Sequence, residues 1–218
     1  MYTSPFTEMT DRAAMQALVD EVGVASWITV SADGHPEATL LPVLWRGDRV
    51  IAHAAAANPQ FQQLAQGAPG LAVITGANAY VSPNWLPTKA KAGRAVPTWN
   101  YLSVQLAGPV TVHRDREWLL AAVEELSVVH ERTRTPAWSL DEAPQIFTDG
   151  LLLGVVGLEM TVTSAVGKAK LSQNRIPADR EGIIAGLRQD QQPRAAALAD
   201  AMEAAEQGRT SLTPGGSE

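Results

Sequence analysis

Cysteine is absent from the 218 residues, which excludes disulfides, thiolate metal sites and thiol nucleophiles together. The N-terminal MYTSPFTEMTDR lacks the basic start and apolar run of a secretory signal. Long apolar stretches are lacking too. LLLGVVGL at 151–158 falls far short of the ~20 residues that a bilayer span requires, so a cytoplasmic chain without membrane association is expected. His35, His53, His113 and His130 show no metal-ligand spacing, and no metal is expected. Gly-x-Ser-x-Gly, a Walker-type loop and a convincing helix-turn-helix are all missing, which leaves hydrolase and nucleotidase chemistry without support. Positive charge is in short supply as well. With a net charge of -6, nucleic acid is a partner that the overall balance does not support, since a basic face is its usual footprint.

What the chain does have is core-forming material: 45% hydrophobic against 18% charged residues, unlike a disordered chain. Its charges are unevenly placed. From Val50 to Arg114 there is no Asp or Glu, while Lys89, Lys91 and Arg94 persist; a second acid-free run, Met160 to Ala178, holds Lys168, Lys170 and Arg175. Strands are poor in acids in any case, yet that does not account for the cations kept in the same loops. Convergence on an anionic ligand would.

Periodicity predicts a first helix capped by Thr10, with Ala14, Leu18 and Val22 as its stripe. VASWITVS and EATLLPVLW read as a hairpin turning at Asp33-Gly34. Asn58-Pro59 reads as the cap and first residue of a helix running through PQFQQLAQ to Gly67. Short strands are expected at 70–76 and 79–82, and a long one at 101–113 bent at Gly108-Pro109. The stretch from Pro83 to Pro97 looks too broken for regular structure. An amphipathic helix is expected at 115–131, then a strand near 154–164, a polar loop KAKLSQNR, and two helices separated near Gln191-Gln192. Hairpins with flanking helices indicate an α+β fold. The chain divides on this reading into a barrel domain at 1–177, a helical C-terminal extension at 178–206 and a disordered tail at 207–218.

Three polar clusters stand out: Ala52 to Pro59, the Pro-rich segment Tyr80 to Tyr101, and Lys168 to Arg175. Each has a plain structural explanation as a loop, a plug of aromatic residues or a solvated charged run. Each also suits an anionic planar ligand: helix-start N–H groups for phosphate, aromatic rings and amides for a heteroaromatic system, cations with hydroxyls for charge.

Taken together and in order, Asp33-Gly34…Ala38-Thr39-Leu40-Leu41-Pro42, His53-Ala54…Asn58-Pro59-Gln60, Tyr80-Val81-Ser82-Pro83-Asn84-Trp85, Val96-Pro97-Thr98-Trp99-Asn100-Tyr101 and Lys170-Leu171-Ser172-Gln173-Asn174-Arg175 resemble the PaiB-like FMN-binding negative transcriptional regulators. The chain carries Leu86 where that family usually has Tyr, and Ala169 where Phe is common. The resemblance implies a split β-barrel of the pyridoxamine-phosphate-oxidase type with flanking helices, forming a homodimer with FMN between subunits. It implies a transcriptional regulator or a flavin-dependent oxidoreductase; a cofactor-free regulatory protein that keeps the barrel is the alternative. Carried onto this chain, His53, Asn58 and Lys89 are expected on the phosphate side and Thr39, Leu40, Leu41 and Pro42 along the ring. Trp99 and Asn100 are expected to close the pocket, and Lys170, Ser172, Gln173 and Asn174 to complete it.

Overall fold

The structure is a computed structural model that describes residues 1–211, with side chains described through Gln207. The chain forms two compact units. One comprises Asp11–Ile74 and Val104–Val166; the other comprises Met1–Thr10, Thr75–Ser103 and the residues from Gly167 on.

The first is a barrel. Its strands are β2 (Val24–Val30), β3 (Pro36–Arg46), β4 (Arg49–Ala55), the leading half of β5 (Ala68–Val81), the trailing half of β6 (Thr98–His113) and β7 (Val155–Thr161). They run in the order β6-β5-β2-β3-β4-β7, and β6 also pairs with β7, so the six strands close on themselves. Closure leaves no exposed sheet edge around the ring. Trp27, Leu44, Trp45, Ile74, Leu106, Leu158 and Met160 on its strands and Phe61 beside them are fully buried. The α+β split barrel expected from the sequence is the architecture formed.

Helix α1 (Arg12–Val22) is capped by Asp11, whose carboxylate accepts from the Ala13 N–H at 2.8 Å. The cap is one residue later than expected because the helix itself begins at Arg12. Its buried stripe is Met15, Leu18 and Val19, which corrects the stripe read from Ala14 and Val22. Helix α2 (Pro59–Gln62) starts on Asn58 as expected but lasts a single turn. Helix α4 (Arg116–Glu131), capped by Asp115, buries Leu119, Ala122 and Leu126. Trp118, in its first turn, lies over Gly157 of β7. A Cβ at Gly157 would stand 2.0 Å from the indole, so only glycine admits the ring. The short helix α5 (Gln145–Leu152) has no counterpart in the sequence reading.

In the second unit, β1 (Glu8–Met9) pairs antiparallel with β8 (Ser164–Lys170), matching Glu8 with Lys168 and Met9 with Gly167. The strand expected at 154–164 is thus two strands, and only the end of KAKLSQNR is loop. The 83–97 segment is also more ordered than its prolines suggested: a 3-10 turn at Pro83–Trp85 leads into α3 (Pro87–Ala92). Both begin with proline, which suits a first helical position because its missing N–H is not needed there. Gly93, at φ 66°, ends α3.

Helices α6 (Pro177–Gln189) and α7 (Ala195–Ser211) pack on each other, with the expected break between them. Ile183, Leu187, Ala195, Leu198, Ala199 and Met202 join Val81, Leu86 and Leu171 in one apolar cluster. Leu86, the departure from the family pattern, is therefore a core residue. Gly182 and Gly186 make a groove on α6 for Trp85; a Cβ on either would approach atoms of Trp85 to 2.2 Å. Helix α7 extends five residues into the stretch expected as tail, and 212–218 lie outside the described residues. Among the described residues no helix is long and apolar enough to cross a membrane.

Candidate functional site

The barrel unit carries six of the expected site residues. Thr39 and Asn58 meet in a polar network centred on Gln60. Thr39 Oγ1 donates to Gln60 Oε1 at 2.6 Å and accepts from Asn58 Nδ2 at 3.0 Å. Asn58 Oδ1 in turn accepts from the Gln60 N–H at 3.1 Å. Gln60 Nε2 lies within hydrogen-bond distance of Trp27 O, Thr29 Oγ1 and Glu37 O, so two hydrogens serve three acceptors. The network ties α2 to β2 and β3. Gln60 was quoted in the motif but not read as functional, since nothing in sequence marks a buried glutamine. Leu41 is buried in the barrel and Pro42 half-buried, whereas Leu40 points outward and is 69% exposed.

His53 sits on β4 opposite Gly157, and His113 on β6 lies opposite the same glycine from the other side. Directly opposed residues share a sheet face, so both imidazoles project to the side where Trp118 rests. His113 stacks on Trp118 with centroids 4.1 Å apart and an interplanar angle of 6°. His53 Nδ1 and His113 Nε2 are buried without hydrogen-bond partners among the described residues. Burial holds the His53 pKa below its usual value, because a poorly solvated ring resists charge. His53 is thus neutral at physiological pH and lies on the face covered by α4.

The second unit carries the other seven, and four of them, Lys170, Ser172, Gln173 and Asn174, line a cleft of about 330 Å³. Its lining includes Ser4 and Thr7 from the N-terminal segment, Thr98 at the start of β6, Lys170 at the end of β8, and Asn174 and Arg175 after it. Lys170 Nζ donates to Thr98 Oγ1 at 2.7 Å. Ser172 and Gln173 also line it, but the amide of Gln173 serves the loop itself and the hydroxyl of Ser172 ties the loop to β6. Gln173 Oε1 accepts from the Leu171 N–H at 2.8 Å, and its Nε2 donates to the Ala169 carbonyl. Ser172 Oγ exchanges hydrogen bonds with the amide of fully buried Asn100, 3.0 Å to Nδ2 and 3.3 Å to Oδ1. Ser172 is the one non-glycine residue with positive φ, 60°, among the described residues. Backbone held in this region costs about 1–3 kcal/mol and tends to collect at ligand clamps.

Lys89 is not among the residues lining this cleft; it is exposed on α3, and its Nζ donates to Asn84 Oδ1 in the 3-10 turn before that helix. Trp99 is half-exposed, donates from Nε1 to Asn78 Oδ1 at 3.3 Å, and meets Tyr80 edge to face at 6.5 Å. Thr98 and Arg175 were missed as individual site residues, although Arg175 stands in the acid-free run that signalled the loop.

Among the described residues no carboxylate lines the cleft, which fits a phosphate. A wider cavity of about 620 Å³ in the barrel unit, between α4 and α5, does not fit one: Glu124, Asp141, Glu142 and Asp149 surround it with Arg116 as the sole cation. Among the described residues, no three His, Asp or Glu are grouped to hold a metal.

A closed six-stranded antiparallel barrel with flanking helices defines a class of split barrels. Its solved relatives include the flavocytochrome Anf3 from Azotobacter vinelandii, 15% identical, covering 77% of this chain and 72% of that one at a TM-score of 0.56. The FAD and heme binding protein from Mycobacterium smegmatis, 23% identical, covers 82% of this chain and 80% of its own at 0.53. Residues 1–164 match the family described as "Putative FMN-binding domain". The chain belongs to that family, as its motifs indicated, and FMN is the cofactor that membership assigns to it. The protease synthase and sporulation protein PAI 2 of Bacillus subtilis is 28% identical over 210 residues, covering 93% of this chain and 97% of the relative. An uncharacterized protein of Emericella nidulans is 32% identical over 118 residues, and the match spans about half of each chain, 50% and 47%.

Proposed function

We propose that the chain is a homodimeric redox flavoprotein that seats the phosphate of FMN in the cleft of the second unit. The lining of that cleft carries the reading: Lys170 and Arg175 with hydroxyls and amides, and no acid among the described residues. An ammonium and a guanidinium offer charge-assisted hydrogen bonds to phosphate oxygens, and Ser4, Thr7, Thr98 and Asn174 offer neutral ones. The volume lies at the lower end of the ~300–1,000 Å³ of small-molecule sites, which suits the phosphate and sugar-alcohol end of the cofactor. Thr98 holds the Lys170 ammonium at the cleft, and Asn100 with Ser172 fixes the turn that presents Asn174 and Arg175. When bound, FMN supplies reversible electron and hydride transfer; the residues named here bind and orient it.

A regulatory role is the second reading. The Bacillus subtilis relative favours it, since it aligns over nearly the whole of both chains and its name refers to protease synthase and sporulation.

The test compares FMN with riboflavin, which lacks the phosphate. The wild-type protein should purify yellow and bind FMN at least tenfold more tightly. Lys170→Ala should weaken FMN binding roughly 10–100-fold, the equivalent of ~1.5–3 kcal/mol for a hydrogen bond to a charged group, and leave riboflavin binding unchanged. Equal affinity of the wild-type protein for both ligands would sink the phosphate assignment. Salt-sensitive retention on duplex DNA would favour regulation, because phosphate contacts to DNA weaken steeply with ionic strength.

A further inference from the structure

We infer that Asp179 is a positioning residue that aims the Arg175 guanidinium at the phosphate-binding cleft; the inference rests on the proposed seating of the FMN phosphate. Arg175 is held at three points. Its N–H donates to Ser172 O at 3.0 Å, closing the turn after β8. Its carbonyl accepts from the guanidinium of Arg180, which is itself fixed by Glu206 of α7 at 2.5 Å. Its side chain faces the carboxylate of Asp179, with Nη1 4.0 Å from Oδ2.

Asp179 belongs to the first turn of α6 and is only 3% exposed. Its other oxygen, Oδ1, accepts from the Thr88 N–H in the first turn of α3 at 3.0 Å. The carboxylate is therefore fixed by backbone of α6 and of α3 before it meets Arg175. A buried acid with one oxygen turned to a half-exposed arginine restricts a long side chain that otherwise samples many rotamers. Restriction in the binding geometry raises affinity by removing the cost of ordering that side chain from the binding step. Satisfying the N–H of Thr88 requires only an oxygen acceptor. Opposing Arg175 requires the negative charge. The two duties are separable by a single isosteric change.

Asp179→Asn keeps an oxygen for Thr88 and removes the charge that faces Arg175. In the full chain, the expected result is FMN binding weakened about tenfold, riboflavin binding unchanged, and an unchanged melting temperature. Arg175→Ala, at a half-exposed position that does not endanger folding, should weaken FMN binding at least as much. Adding Asp179→Asn to Arg175→Ala should then weaken it no further. The inference is overturned if Asp179→Asn binds FMN like the wild type, if it weakens FMN and riboflavin equally, or if the double variant is additive. Lys170→Ala separates the two levels. If it weakens FMN while Asp179→Asn does not, only the role of Asp179 fails. If neither weakens FMN, the cleft does not hold the phosphate and the reading beneath the inference fails with it.

Discussion

His53 shows how one buried side chain sets a pH limit on the fold. Its ring lies beneath α4, and burial lowers its pKa from the ordinary value. In the unfolded chain the same ring takes up a proton near pH ~6.5. Below that pH the unfolded state therefore binds more protons than the folded state, and stability falls as pH falls. Above it the two states match and no stability is lost. The expected outcome is a melting temperature that drops between about pH 6.5 and pH 5, the window in which histidine titrates ahead of the carboxylates. Thermal melts of the wild type and of His53→Asn across this range check it: the variant should show a clearly smaller drop. A parallel decline in both proteins would mean that other groups govern the acid limb.

Glycine divides the helices into two kinds. Gly150 in α5 has open space where a Cβ would be, whereas at Gly186 in α6 a Cβ would stand 2.2 Å from Trp85. Alanine is the better helix former by ~0.8–1.0 kcal/mol, so Gly150→Ala should raise stability by up to about 1 kcal/mol. Gly186→Ala gains the same propensity but must displace the indole, and overpacking of this kind costs about 1–3 kcal/mol. It should lower stability on balance. Chemical denaturation of the two variants supplies the comparison, and a stabilised Gly186→Ala would show that Trp85 can move away.

The same contrast explains what the sequence displayed at this scale. Helix α4 was legible because its apolar face recurs at helical spacing and Asp115 opens it. The turn and helix at 83–92 were not, because prolines look like breakers until one sees that each stands first in its helical turn. β8 was hidden in a run of cations that resembled a loop; its pairing with β1 depends on residues far away in the chain. Trp85 suited a ligand-facing aromatic or a core plug equally, because its place in the groove of α6 depends on two glycines about a hundred positions on.

For the molecule as a whole, the motifs disclosed the family and the barrel, because loops with unusual composition recur in a fixed order. They disclosed the cleft's loop but not which of its side chains are available. Ser172 and Gln173 read as ligands, whereas the structure shows their hydrogen bonds spent on the turn. Thr98 and Arg175, less prominent in the motif, face the cleft. Association is the remaining property at this scale. Val30 and Leu40 stand exposed on the barrel strands, where the partner of the proposed homodimer would cover them. Light scattering of the purified chain should return twice the monomer mass, and Leu40→Lys should shift it toward the monomer. A wild-type monomer at micromolar concentration would rule out the homodimer.

The seat of Trp85 has a consequence for inheritance. Indole and groove are coded in segments far apart, yet neither works without the other: a smaller residue at 85 leaves a hollow, a side chain at 186 evicts the ring, and one at 182 collides with the Trp85 backbone. Such positions are expected to be exchanged as a set. A chimera that borrows the C-terminal helices of a relative should fold well when the donor's Ser-Pro-x-Trp segment travels with them, and poorly when it is left behind.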